Sequence, residues 1–320
     1  HRPSDLSPRT DVRASHQFGR SAAGGRKVTL QSVFRDCNRM NQVLWRKAVS
    51  DAWRQLAICC TILILFSWIF VWLMSMMQLG AWETLLSLMP SFFKPIMGVP
   101  LSELAKPTGR LSILYVHVVT LMVCVGWAVG RGSDPISGEI GRGTMDLIAS
   151  LPVWRVAVLL VPGVVSTVGA AVLSVSLLGG TGLGLVTFDF GDKISLSRFL
   201  PGAINLFCMT FCLTGITAFL SSWNRDRWRV ISLAIGFFVV SLILKLIGRL
   251  WKPKSRLGNF VKWVFTYGSF LNAFHPQRLI LLPEEAGFLA PKYNLPLIGL
   301  GLGCYLLAAI IFARRDVPAH

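Results

Sequence analysis

A membrane-bound catalyst needs nucleophiles, acids or metal ligands at usable spacing, and this sequence offers few. It contains no H-E-x-x-H pair to hold zinc on one helix face and no G-x-S-x-G nucleophile elbow. Asp192 follows Phe190-Gly191, but no apolar run carries a second aspartate with which it could form a proteolytic dyad. Of seven cysteines, Cys59, Cys60, Cys124, Cys208, Cys212 and Cys304 fall inside apolar runs and no C-x-x-C occurs, so they read as small apolar packing residues. Cys208 and Cys212 are one helical turn apart, yet no His or carboxylate stands within a turn to complete a metal site. Gly179-Gly180-Thr181-Gly182-Leu183-Gly184 lacks the Lys-Ser/Thr of a phosphate loop and is expected to be a turn. His117 is the only histidine in an apolar run, where an ionisable group marks either a pathway or a hydrogen bond to a neighbouring helix. Asn205, Thr210 and Thr214, with Thr217, are the most polar span-borne side chains and leave the same two readings open. The expected result is no enzymatic activity, no cofactor and no metal in this chain.

The elements that hold these residues are dictated by hydropathy. The 320 residues are 53% hydrophobic and 15% charged with mean hydropathy +0.59, against about a quarter charged in soluble domains. Apolar stretches at about 56–78, 111–130, 156–178, 199–221, 230–250 and 295–313 reach the roughly 20 residues that a helix needs to cross a hydrocarbon core. The expected fold is all-α and polytopic, with six spans inside a domain covering 40–320. Net charge is +17, but the cations sit in the first 55 residues and at the ends of the apolar runs, which is topology signalling rather than nucleic-acid binding.

Residues 1–39 are polar, basic and rich in Ser, Gly and Arg, so they are expected to be disordered, with Met40 the expected native start. From Met40 to Leu56 apolar residues recur at helical spacing with Arg46, Lys47, Asp51 and Arg54 between them. This reads as an amphipathic helix lying in the membrane interface, or as an extension of the first span. Six spans put both termini on one side. The segments 1–55, 131–155, 222–229 and 314–320 carry the larger share of Lys and Arg and are expected to be cytoplasmic, most simply in a bacterial inner membrane. The run Lys252, Lys254, Arg256 and Lys262 falls on the opposite side. Residues 80–100 and 260–283 there hold enough Trp, Phe and Leu for short interfacial helices or an aromatic belt. Lys245 and Arg249, late in the fifth span, can snorkel to the interface.

The loop between spans two and three, 134–155, is the informative one. Thr144 can cap a short helix in which Met145, Leu147, Ile148 and Leu151 flank Asp146 and Pro152 ends the run. An amphipathic helix tied at both ends to spans acts as a lever. Glu139, Gly143-Thr144, Asp146-Leu147-Ile148, Pro152-Val153 and Arg155 occur in the order and spacing of one known loop, and Phe312-Ala313-Arg314-Arg315-Asp316-Val317-Pro318 ends the last span in a familiar way. In these features the chain, from Met40 onward, resembles the permease subunits of ABC-2-type ABC transporters. The resemblance implies that the loop docks in a cleft of a separate ATPase subunit, which binds the ATP and Mg. It implies contact there through Glu139, Arg142, Gly143, Thr144, Met145, Asp146, Pro152 and Arg155, and a pathway formed with a second permease copy or a similar chain. Without such a partner, Asp146 and Arg142 would pair along a solvated helix. The alternative function is a non-transporting scaffold that recruits another cytoplasmic protein through the same loop. The long polar N-terminus and the basic run at 252–262 depart from the family pattern.

Overall fold

The structure, a computed structural model, describes residues 30–77, 79–88, 98–144, 156–190, 194–251 and 255–314, with most side chains from Gln42 onward. Every regular element among the described residues is helical. In chain order α1 is Leu30–Met76, α2 Leu79–Leu88, α3 Leu101–Ala105, α4 Pro107–Ser112, α5 Val118–Ser133 and α6 Ala157–Thr187. Then come α7 Leu200–Trp223, α8 Arg227–Leu250, α9 Arg256–Tyr267, α10 Pro276–Leu281 and α11 Pro283–Arg314. Six stretches are long and apolar enough to cross a membrane: Gln42–Met76, Pro107–Gly141, Ala157–Thr187, Leu196–Trp223, Arg227–Leu250 and Pro283–Arg314. The chain is an all-α polytopic membrane protein, with the six spans in the places that hydropathy assigns.

Four sequence expectations change. The separate interfacial helix at 40–56 does not form, because the charged stretch runs without a break into the first span, as the alternative reading had it. The same helix begins at Leu30, so 30–39 is not part of a disordered segment. At 47 residues and about 1.5 Å per residue, α1 is far longer than a hydrocarbon core of about 30 Å. Its apolar part fills the core, and the turns bearing Arg46, Lys47, Asp51 and Arg54 extend past it. The second span also overshoots. After α5 the helix continues through a π-helical turn at Asp134–Gly138 to Gly141, so the first third of the expected loop is span. The glycines at 179–184 form no turn but lie inside α6. A Cβ on Gly180 would collide with Ser67 Oγ, and one on Gly184 would stand 2.5 Å from Val71 Cβ, so both let α1 and α6 pack backbone to backbone.

The bundle is organised around α7, whose span is the most buried of the six. Leu206, Met209, Cys212 and Leu213 form its apolar surface within the core, and α5, α6, α8, α10 and α11 pack around it. Around the outside, Val175, Met122, Val240 and Leu306 are more than half exposed, which suits acyl chains and not water. Successive spans alternate in direction. Ile136, Val158, Ala218 and Phe312, from the ends or starts of four spans, therefore meet in one cluster at one end of the bundle. At the other end Tyr115 stacks on Phe199, and α9 lies against Trp251 through Phe265. On α9, Phe260, Trp263, Val264 and Tyr267 follow at helical spacing and are all exposed, an apolar stripe of interfacial type.

Candidate functional site

Charged groups from three of the spans converge where the second span ends. Asp134 opens the π-helical turn, and Pro135, lacking an N–H, cannot continue the α-helical ladder there. The turn is stitched to α7. Ser221 Oγ accepts from the Ser137 N–H at 3.1 Å, and both Ser221 Oγ (3.3 Å) and Ser137 Oγ (2.7 Å) donate to Ser133 O. Just before it, Gly132 lets α5 approach so closely that a Cβ would lie 2.8 Å from the Thr214 carbonyl.

Glu139, one turn on, is buried, yet three donors reach its carboxylate. Lys47 Nζ of α1 lies 2.9 Å away, Arg142 Nη2 2.6 Å away, and Thr144 Oγ1 closes the other oxygen. Asp134 is the second hub. It pairs with Arg131 at 3.3 Å, Arg142 at 3.0 Å and Arg227, the first residue of α8, at 3.4 Å. Burial alone would lower the Arg142 pKa, but its bonds to Glu139 and Asp134 outweigh that and raise it, so Arg142 stays charged. The knot therefore joins α1, the end of the second span and α8 by charge, and α7 by hydroxyls. Around it lies a polar cleft of about 700 Å³, lined also by Asp51, Arg54 and Gln55. Cations outnumber carboxylates among the lining residues, five to three by type.

Of the residues singled out from the sequence, Glu139, Arg142 and Thr144 come together here. Thr144 acts backwards from expectation: its hydroxyl also bonds Glu139 O at 3.3 Å, closing the preceding helix, while Gly143 supplies the left-handed turn at φ +68°. Arg142 pairs with Asp134 and Glu139; the expected pair with Asp146 falls outside the described residues. Glu139 is tied up within the chain, whereas Gly141, Arg142 and Gly143 are exposed at the tip. Met145, Asp146, Pro152 and Arg155 lie outside the described residues, as does the short helix expected after Thr144.

The four pathway candidates do not line this cleft. His117 interrupts the second span, with extended backbone between a 3₁₀ turn and α5; its Nδ1 accepts from Val119 N–H at 3.3 Å, and its ring sits against Phe66 and Phe70. Thr210 and Thr214 are buried and donate to carbonyls one turn back, Leu206 O and Thr210 O, the cheapest way to satisfy a hydroxyl in a span. Asn205 reaches further. It donates to Ala273 O (3.1 Å) and Asn294 Oδ1 (2.7 Å) and accepts from His275 N–H (2.8 Å), joining α7, α11 and the turn before α10.

Sequence reasoning missed Lys47, Arg131, Asp134 and Arg227 as members of one site, because Lys47 and Arg227 stand far along the chain from the stretch 131–142 that they meet. The i,i+3 pairs Arg131/Asp134 and Glu139/Arg142 were the available signal, since each pair shares a helix face. His275 was also missed. Burial, with Lys245, Arg249 and Arg278 nearby, pushes its pKa down to about 2, so it stays neutral and accepts from Arg249 Nη2 at 2.6 Å. No known protein family and no curated protein matches this chain.

Proposed function

We propose that the chain is the membrane subunit of an ATP-driven transporter of the ABC-2 permease type. In this reading the segment from Arg142 to Arg155 faces the cytoplasm and docks on a separate ATPase subunit. The observation that carries the proposal is the ion-pair knot at the root of that segment. A lever is useful only if force on it moves the spans together. Lys47, Asp134, Glu139, Arg142 and Arg227 bind α1, the second span and α8 to one another, and Ser221 adds α7. Movement at the tip is thus shared by four spans instead of bending one helix end. The exposed Arg142 tip and the cationic excess of the cleft favour an acidic docking surface on the partner. No ATP-binding loop stands in the sequence, which leaves hydrolysis to that partner.

The test is affinity purification from the native membrane. The expected result is a co-purifying subunit that hydrolyses ATP, with hydrolysis coupled to transport in the wild type and uncoupled, or the subunit lost, in Asp146→Lys. A chain that purifies without any ATPase under cross-linking conditions sinks the transporter reading and leaves recruitment of some other protein.

A further inference from the structure

At the opposite end of the bundle from the charged knot, α8 presents one face to a groove of about 290 Å³. Phe238, Leu242, Lys245 and Arg249 line it along that face, with Val116 from the second span and Phe274 from the turn before α10 as opposite walls. From Phe238 to Lys245 the helix rises about 10 Å. The groove therefore has an apolar depth and a cationic end, and that end lies beside Trp251 and the interfacial helix α9. Leu242 and Leu246 are exposed, so the groove opens sideways to the surrounding hydrocarbon.

The groove's cationic end carries Lys245 and Arg249, and Arg249 already bonds His275 Nε2 at 2.6 Å. No carboxylate among the described residues lines the groove. Lys245 donates to Phe274 O at 2.7 Å and stands 5.5 Å from the centre of the Phe274 ring, and no described carboxylate pairs with it. An ammonium has donors left over after one such bond. Charge complementarity makes an anionic headgroup, with its phosphate oxygens as acceptors, the matching ligand for such an ammonium at the mouth of an apolar groove.

We propose that this groove binds an anionic phospholipid, its phosphate at Lys245 beside Arg249 and one acyl chain along Phe238, Leu242 and Val116. The occupant comes from the leaflet on the α9 side. The site does not depend on the transporter reading, because it follows from the groove alone.

The test uses the purified full chain in detergent, titrated with phosphatidylglycerol, with phosphatidylcholine of the same acyl chains, and with glycerol phosphate; occupancy is read by native mass spectrometry. The wild type is expected to bind phosphatidylglycerol about tenfold or more tightly than phosphatidylcholine, the scale of one charge-assisted hydrogen bond. Glycerol phosphate, without chains, is expected to bind far more weakly than phosphatidylglycerol. Lys245→Met should abolish the preference, Lys245→Arg should keep it, and Leu242→Trp, which fills the apolar part, should weaken both lipids. If Lys245→Met fails to fold, Leu242→Trp and the headgroup comparison still decide the matter. Equal affinity for the two lipids in the wild type overturns the proposal. So does glycerol phosphate binding as tightly as phosphatidylglycerol, or a preference that survives both Lys245→Met and Leu242→Trp.

Discussion

Replacing Glu139 by alanine removes the acceptor at the centre of the knot, and its cost can be worked from the surroundings. The carboxylate is 8% exposed, but its cationic partners Lys47 and Arg142 are each 44% exposed and can rehydrate when it is gone. Each of these pairs is therefore worth about 0.5 kcal/mol, well short of a buried pair. The Thr144 bond to the charged group adds about 1 kcal/mol. The total of about 2 kcal/mol corresponds to a fall in melting temperature of roughly 4–8 °C, using the scale for domains of 150–250 residues. Glu139→Gln keeps an acceptor for Arg142 and Thr144 and should lose about half as much. The assay is thermal unfolding in detergent at low and high salt, with a double-mutant cycle between Glu139→Ala and Arg142→Ala. The cycle should return a coupling of about 0.5–1 kcal/mol that shrinks as salt screens the exposed partners. Strictly additive single mutants, or a Glu139→Ala melt identical to wild type, would refute the assignment of Glu139 as an internal hub.

Asp134→Asn should be more damaging than Glu139→Ala, because it strips the carboxylate from Arg131, whose side chain is only 4% exposed; a loss of about 3–5 kcal/mol is expected, and the ranking of the two melts checks it. Gly180→Leu should separate α1 from α6 and lower the yield of folded protein, with partial rescue by Ser67→Gly, read by size-exclusion profile. His275 should make the fold acid-sensitive. Its folded pKa of about 2 lies below the ordinary value of 6.5, so the unfolded chain takes up a proton that the fold refuses, and stability falls as pH drops below 6.5 towards 2. Melts at pH 7.5 and pH 5 should show less acid loss in His275→Gln than in the wild type; equal losses would remove His275 as the cause.

The six spans were legible because hydrocarbon imposes one length and one composition on a helix, and the core of each stretch, such as 56–78, obeys it without a charge. The ends were not. Gly-rich 179–184 looked like a turn, since glycine lowers helix propensity in water; in a bundle the missing Cβ is what lets Gly180 and Gly184 meet α1, and that gain overrides propensity. The polar face of 40–56 was visible from its spacing, but whether it would meet headgroups or protein depended on Glu139, which is remote from it along the chain. Glu139 and Arg142 were picked out for an intermolecular contact. Their i,i+3 spacing equally predicted the pair they form with each other. Asn205 was legible as polar, but its partners Asn294 and His275 were not, because nothing local to either residue points at the other.

The docking of the loop is tested most directly by cross-linking from Arg142. With Arg142→Cys carrying a thiol-linked photoreactive group in native membranes, and Trp263→Cys on α9 as the control at the other end, the adducts are identified by mass spectrometry. The account predicts an ATP-hydrolysing subunit attached to Arg142→Cys and absent from Trp263→Cys. Adducts to such a subunit from Trp263→Cys alone, or none from either position, would contradict it.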